Sequence, residues 1–87
     1  MERKKVIVTN MTGFALQPVG VLCDTAVQFK SRIEICYDNV IINAKSLLGV
    51  LGSGIKQGDE IEIVCEGQDE KEALQQMLKI IEEGLGE

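Results

Sequence analysis

The stretch Arg32–Asn43, RIEICYDNVIIN, decides the fold. Ile33, Ile35 and Tyr37 alternate with Arg32, Glu34 and Cys36, the period of two that sends successive side chains to opposite faces of a strand. Asp38 and Asn39 come next; both tolerate positive φ, so the pair reads as a hairpin turn. VIIN, Val40–Asn43, then returns as a short partner strand. An antiparallel pair patterned this way has one strongly apolar face and needs cover on that face only.

The flanking segments repeat the pattern. KKVIVTN, Lys4–Asn10, reads as a strand with Val6 and Val8 on one face and Ile7 on the other. EIEIVCE, Glu60–Glu66, reads as another, with Ile61, Ile63 and Cys65 inward. From Leu16 to about Lys30, Val19, Leu22, Cys23, Ala26 and Phe29 recur at helical spacing. Pro18 is acceptable there because a first-turn N–H has no partner inside the helix. KSLLGVL, Lys45–Leu51, reads as a short helix with Ser46 as its N-cap, and GSGIKQGDE as a loop. Asp69 is expected to cap the last helix, with Glu72 three residues on completing a capping-box pattern. Ala73, Leu74, Met77, Leu78 and Ile81 form that helix's apolar stripe, and Gly84 ends it. The order is strand, helix, strand, strand, helix, strand, helix. With one strongly apolar face per strand, every helix must cover the same side. The expected fold is α+β, an open-faced two-layer sandwich in one domain spanning residues 1–87.

Composition narrows the function classes. Net charge is −5, unevenly spread: Met1–Lys45 carries four acids and six bases, Ser46–Glu87 ten acids and three bases. An acidic chain with few aromatics argues against direct nucleic-acid binding and suggests a protein partner with a basic patch. The longest apolar runs are far shorter than a membrane span and the opening MERKK leads into a strand pattern, so neither membrane insertion nor a signal peptide is expected. Cys23, Cys36 and Cys65 form no CxxC pair, and the chain has no histidine, so the usual zinc sets cannot be assembled. The three cysteines read as reduced thiols packed as small hydrophobes, which agrees with a cytoplasmic address, and no metal or cofactor is expected.

A family resemblance rests on VTNMTG after the first strand, on Pro18, on NAKSLLGVL, GIKQGDEIEI and EGQDEKEAL, and on the ending EGLGE. Across its whole length, without gaps, the chain resembles HPr, the small histidine-containing phosphocarrier of the bacterial sugar phosphotransferase system. The resemblance implies an antiparallel sheet ordered 1-4-2-3 with three helices on one face. It also implies that phosphate derived from phosphoenolpyruvate would reach a histidine at the position of Ala15, supported by an arginine at the position of Gln17. An imidazole is a good nucleophile near neutral pH, whereas alanine has no nucleophile and glutamine no charge. Histidine-to-histidine transfer therefore cannot run through this chain, and no enzymatic activity is expected. A carrier activity relocated to Cys23 is disfavoured by its place on the apolar stripe of the helix.

In Gram-positive relatives, the serine at the position of Ser46 is phosphorylated by a bifunctional HPr kinase/phosphorylase, and the product is a corepressor for a catabolite-control transcription factor. Catabolite-repression HPr-like proteins lack the histidine and keep this serine, and the chain resembles them in that logic. The expected function is thus regulatory, switched at Ser46, with those two proteins or other phosphotransferase-system components as partners. Lys45, Leu47, Leu48, Leu51 and Gln17 are the expected contact residues. The alternative is a docking module or decoy that is never phosphorylated. Alternation also turns Ile7, Cys36, Ile41 and Val64 outward, one per strand; they read either as scattered surface apolar residues or as a continuous apolar band through which the open sheet face could self-associate.

Overall fold

Asp38 and Asn39 adopt φ of 50° and 66°, the left-handed pair that a two-residue hairpin with matching twist requires. The computed structural model describes residues 1–87, with β1 (Glu2–Ile7), α1 (Leu16–Ala26), β2 (Arg32–Tyr37), β3 (Val40–Asn43), α2 (Leu47–Leu51), β4 (Glu60–Glu66) and α3 (Glu70–Glu82) in chain order. The turn sets Tyr37 opposite Val40 and Ile35 opposite Ile42. β4 enters between β1 and β2, pairing Val6 with Ile61 and Ile35 with Ile63. All pairs are antiparallel and the order is β1-β4-β2-β3, as the family resemblance implies.

Ile33, Ile35, Ile61, Ile63 and Cys65 are buried on one face of the sheet. Val19, Leu22 and Ala26 of α1, Val50 of α2, and Ala73, Met77 and Ile81 of α3 join the same core cluster. Removing each such large aliphatic side chain from water is worth roughly 1.5–3 kcal/mol. Five core residues lie outside the regular elements: Val8, Phe14, Ala44, Ile55 and Leu85. α3 ends with Leu85 N–H donating to Ile80 O and Gly84 N–H to Ile81 O, the paired bonds of a Schellman closure, and Gly84 takes the left-handed φ of 90° this needs.

The structure corrects two expectations and decides an open third. First, α1 stops at Ala26, four residues before Lys30. Gln28 N–H and Phe29 N–H bond to Thr25 O and Ala26 O in tighter turns. The Asp69 carboxylate then takes the N–H of Lys30 and of Ser31, each at 2.9 Å, and the Ser31 hydroxyl at 2.5 Å. Second, and for the same reason, Asp69 does not cap its own helix and no Asp69–Glu72 box forms. The reciprocal pair lies two residues earlier: Gly67 N–H donates to Glu70 Oε1 and Glu70 N–H to Gly67 O. Third, the outward residues Ile7, Val64, Cys36 and Ile41 do not make a continuous apolar band. Register places Ile7 opposite Glu60, Cys36 between Glu62 and Ile41, and Val64 between Arg3 and Glu34. Arg3 bridges to Glu62 at 2.8 Å, and Arg32 pairs with Glu34 and Glu66. Val64 is buried, and the open face is chiefly an ion-paired surface.

The Asp69 bonds give the fold a pH dependence. Donation from the Ser31 hydroxyl first, and then from the Lys30 and Ser31 amides, pulls the Asp69 carboxyl down to about 2. A carboxyl depressed in the folded state contributes stability that is complete above its unfolded value of about 3.9 and is lost as pH falls through the folded value. Urea midpoints should therefore drop between about pH 4 and pH 2. Asp69→Asn should be less stable at neutral pH and show a shallower drop across that window. Parallel curves for the two proteins would remove Asp69 as the titrating group.

Candidate functional site

The loop between β1 and α1 is shaped by a buried asparagine and a glycine with no room for a side chain. Asn10 Nδ2 donates to Gly13 O at 2.7 Å, and Gly13 N–H donates back to Asn10 O at 3.1 Å. Asn10 Oδ1 is the one buried side-chain polar atom left without a partner. Gly13 has φ of 60°, and a Cβ there would lie 2.7 Å from the Lys56 Cα. Phe14 is buried and its N–H donates to Ile55 O, which ties the loop to the segment before β4. Gln57 Nε2 adds a bond to Thr9 O. From this anchored base the chain emerges at Ala15, which occupies the N-cap of α1 in extended conformation. Its methyl group caps nothing, and no acidic side chain lies in the first turn. Leu16 and Gln17 are exposed beside it.

Ser46 is the N-cap of α2, as expected, and its hydroxyl accepts from Gly49 N–H at 3.2 Å. It is half-buried, whereas Leu47 and Leu48 are exposed, Leu48 to 82%, and Leu51 lies at the margin of exposure. Val50 turns inward, so α2 gives one residue to the core and three leucines to solvent. Lys45 does not point toward Ser46: its ammonium donates to Phe29 O at 2.7 Å, where it closes the end of the α1 turn region. Gln17 and Leu47 meet across a cleft of about 530 Å³, which brings the starts of α1 and α2 onto one surface.

The tail after α3 completes this region and was not legible in the sequence. Leu85 is buried in spite of a φ of 53°, and Glu87 folds back onto the β1–α1 loop. The Thr12 hydroxyl and, more weakly, the Asn10 amide donate to the Glu87 carboxylate and hold its pKa below the usual range. The closest signal in the sequence is the alternation of glycines with Leu85 in EGLGE. Gly20, on the exposed side of α1, also escaped notice. A Cβ added there meets nothing within 4 Å.

The nucleophile inventory is short. There is no imidazole in the chain. Cys23 is buried on α1, and burial followed by the nearby Asp24 charge raises its thiol pKa, which keeps it protonated. Cys65 is buried too and pushed up to about 11, chiefly by desolvation. The Thr12 hydroxyl is engaged by Glu87. Cys36 is half-buried with its thiol pKa raised, chiefly by desolvation, and the Ser31, Ser53 and Thr25 hydroxyls donate to Asp69, Val50 O and Val21 O, whereas the half-buried Ser46 hydroxyl accepts at the N-cap of α2. No group of three His, Cys, Asp or Glu side chains is placed to hold a metal ion.

Comparison with known proteins matches this geometry. Residues 2–83 match the family model for the PTS HPr component phosphorylation site. HPr-C-His from Thermoanaerobacter tengcongensis superposes with a TM-score of 0.96 at 34% identity, over 100% of this chain and 98% of that one. The phosphocarrier HPr of Bacillus anthracis gives 0.89 at 31% identity, over 92% and 95%. Crh of Bacillus subtilis, a catabolite-repression protein seen as a domain-swapped dimer, gives 0.78 at 30% identity, over 95% of each chain.

Two glycines of this region should respond oppositely to the same substitution. Gly20→Ala should raise unfolding stability by about 0.5–1 kcal/mol, since the methyl enters open space on a helix. Gly13→Ala should lower it by more than about 1 kcal/mol, because both φ and the Lys56 backbone oppose a side chain. Urea denaturation of the two variants checks both signs.

Proposed function

The chain belongs to the HPr family, and from that premise we propose that it is a regulatory interaction protein of the phosphotransferase system, without histidine phosphocarrier activity, switched by phosphorylation of Ser46 by an HPr kinase. One observation supports the reading: the start of α1, where Ala15 stands at the position the resemblance gives to the histidine, and the start of α2, capped by the Ser46 hydroxyl, border one cleft through Gln17 and Leu47. Transfer of the γ-phosphoryl group of ATP to Ser46 Oγ, with loss of the hydroxyl proton, would add roughly −1.5 to −2 charge. At a helix start such a charge meets unpaired N–H groups and the positive end of the dipole, worth about 0.3–1 kcal/mol. The change is then chiefly one of surface charge rather than of fold. With Lys45 committed to Phe29 O and Gln17 uncharged, the cations that read the phosphate must come from the partner. A catabolite-control transcription factor and other phosphotransferase-system components are the proposed readers.

The exposed Leu47, Leu48 and Leu51 favour a second reading, a docking module that binds through these side chains and is never phosphorylated. Self-association belongs to the proposal only in a coarse form: relatives are seen as dimers, but the open face here presents ion pairs.

Incubation with an HPr kinase, ATP and magnesium, followed by mass spectrometry, should place a single phosphate on Ser46 and none on Ser46→Ala. An unmodified protein under conditions that modify a Gram-positive HPr control would sink the switch and leave the docking module. Ser46→Ala should also lose roughly 0.5–2 kcal/mol of stability by removing the cap, while Ser46→Asp keeps most of it. On the carrier side, Ala15→His alone should accept little phosphate from the phosphotransferase-system enzyme I. Adding Gln17→Arg should raise that by at least about tenfold, since a pre-placed charged donor supplies a few kcal/mol to such a transition state. Equal rates for the single and double variants would remove the role given to position 17.

A further inference from the structure

The cleft shared by α1, α2 and the C-terminal tail has a shape and a charge that phosphorylation of Ser46 does not use. Gly20 lines it, with Leu16 one turn before and Asp24 one turn after on the same helical stripe. Leu47 of α2 and Leu85 and Glu87 of the tail complete the lining. The glycine is not there for backbone reasons: it sits inside a regular helix, its φ is not left-handed, and nothing crowds it. It weakens the helix relative to alanine. What it does is leave open space between the apolar side chains of Leu16, Val21, Leu47 and Leu85.

The charge around that hollow has one sign. No lysine or arginine occurs between Lys5 and Lys30, so α1 carries no base at all. Asp24 lies in the last turn of α1, where the helix dipole is negative and a carboxylate is unfavourable without an outside cation. Glu87 is held at the other end of the cleft by Thr12 and Asn10. The nearby ammonium of Lys45 is engaged at Phe29 O.

We propose that this cleft receives one long apolar side chain, leucine, methionine or phenylalanine, from a partner protein whose adjacent lysine or arginine residues reach Asp24 and Glu87. The occupant is a basic amphipathic segment, with its apolar knob over Gly20 and a cation at each carboxylate. Opposite charges at the rim speed encounter and fix orientation, and the apolar side chain supplies the affinity. This goes beyond the Ser46 reading, because binding is to the unphosphorylated protein.

The test is selection from a displayed library of helical peptides about five turns long, with the unphosphorylated chain as bait. Enriched peptides should carry an apolar residue with lysine or arginine within one turn of it. Their affinity should fall at least about tenfold for Gly20→Leu, which fills the hollow, and for Asp24→Lys, which reverses one rim charge. Added salt should weaken binding to the wild type more than to Asp24→Lys. Circular dichroism and urea midpoints establish that both variants fold; should Gly20→Leu fail, Gly20→Val serves as the filling variant. No enrichment, enrichment of acidic or uncharged peptides, or equal binding to the cleft-filling variant overturns the proposal. The kinase assay on Ser46 is read separately, so either result can fail without the other.

Discussion

One constraint runs through the molecule: every strand has a single face that can be buried. Ile33, Ile35, Ile61 and Ile63 line that face across the two central strands, and a slip of one residue in either would send them to water. All three helices therefore compete for the same side of a four-stranded sheet, and their connections are confined to its edges and ends. The opposite face is left to Arg3, Glu34, Glu62 and Arg32, whose exposed pairs contribute little stability, typically about 0–1 kcal/mol each. Their consequence is geometric. The Arg3–Glu62 pair and Glu34 lie around Val64 and help keep the outward apolar side chains from merging into a patch.

Because the helices share one side, the starts of α1 and α2 come to share a surface, and loops rather than regular elements determine what that surface presents. The β1–α1 loop is anchored by Phe14 and by the close approach of Gly13 to Lys56, and the tail is anchored by Leu85. These anchors fix the loop from which Ala15 and Gln17 emerge at the start of α1. The surface they border carries an alanine at the start of α1, a serine hydroxyl at the start of α2, exposed leucines and two carboxylates.

Asp69 shows how a local preference yields to a distant partner. Its place before α3 is the place of a cap, and aspartate is a good cap. Yet three donors, from Lys30 and Ser31, surround its carboxylate, and two of them are backbone amides left unpaired once α1 has ended. Three donors on one carboxylate outweigh a helix cap that Gly67 and Glu70 replace two residues earlier. The early end of α1 and the missing cap of α3 are therefore one event.

The sequence by itself determined the strands, the Asp38–Asn39 turn, the Ser46 cap and the one-sided core, because alternation, left-handed φ and first-turn N–H groups are properties of neighbours in the chain. It also determined the absence of an imidazole, and with it the end of histidine chemistry. The site's anchors were not legible there. The Glu87 carboxylate meets Thr12 across nearly the whole chain, Lys45 turns away from its neighbour Ser46 to reach Phe29, and Gly20 matters only because Leu47 and the tail stand around it. These were decided by tertiary structure, since a carboxylate, an ammonium or an empty space takes its meaning from whatever folding brings within about 3–4 Å, and sequence separation carries almost no information about that distance.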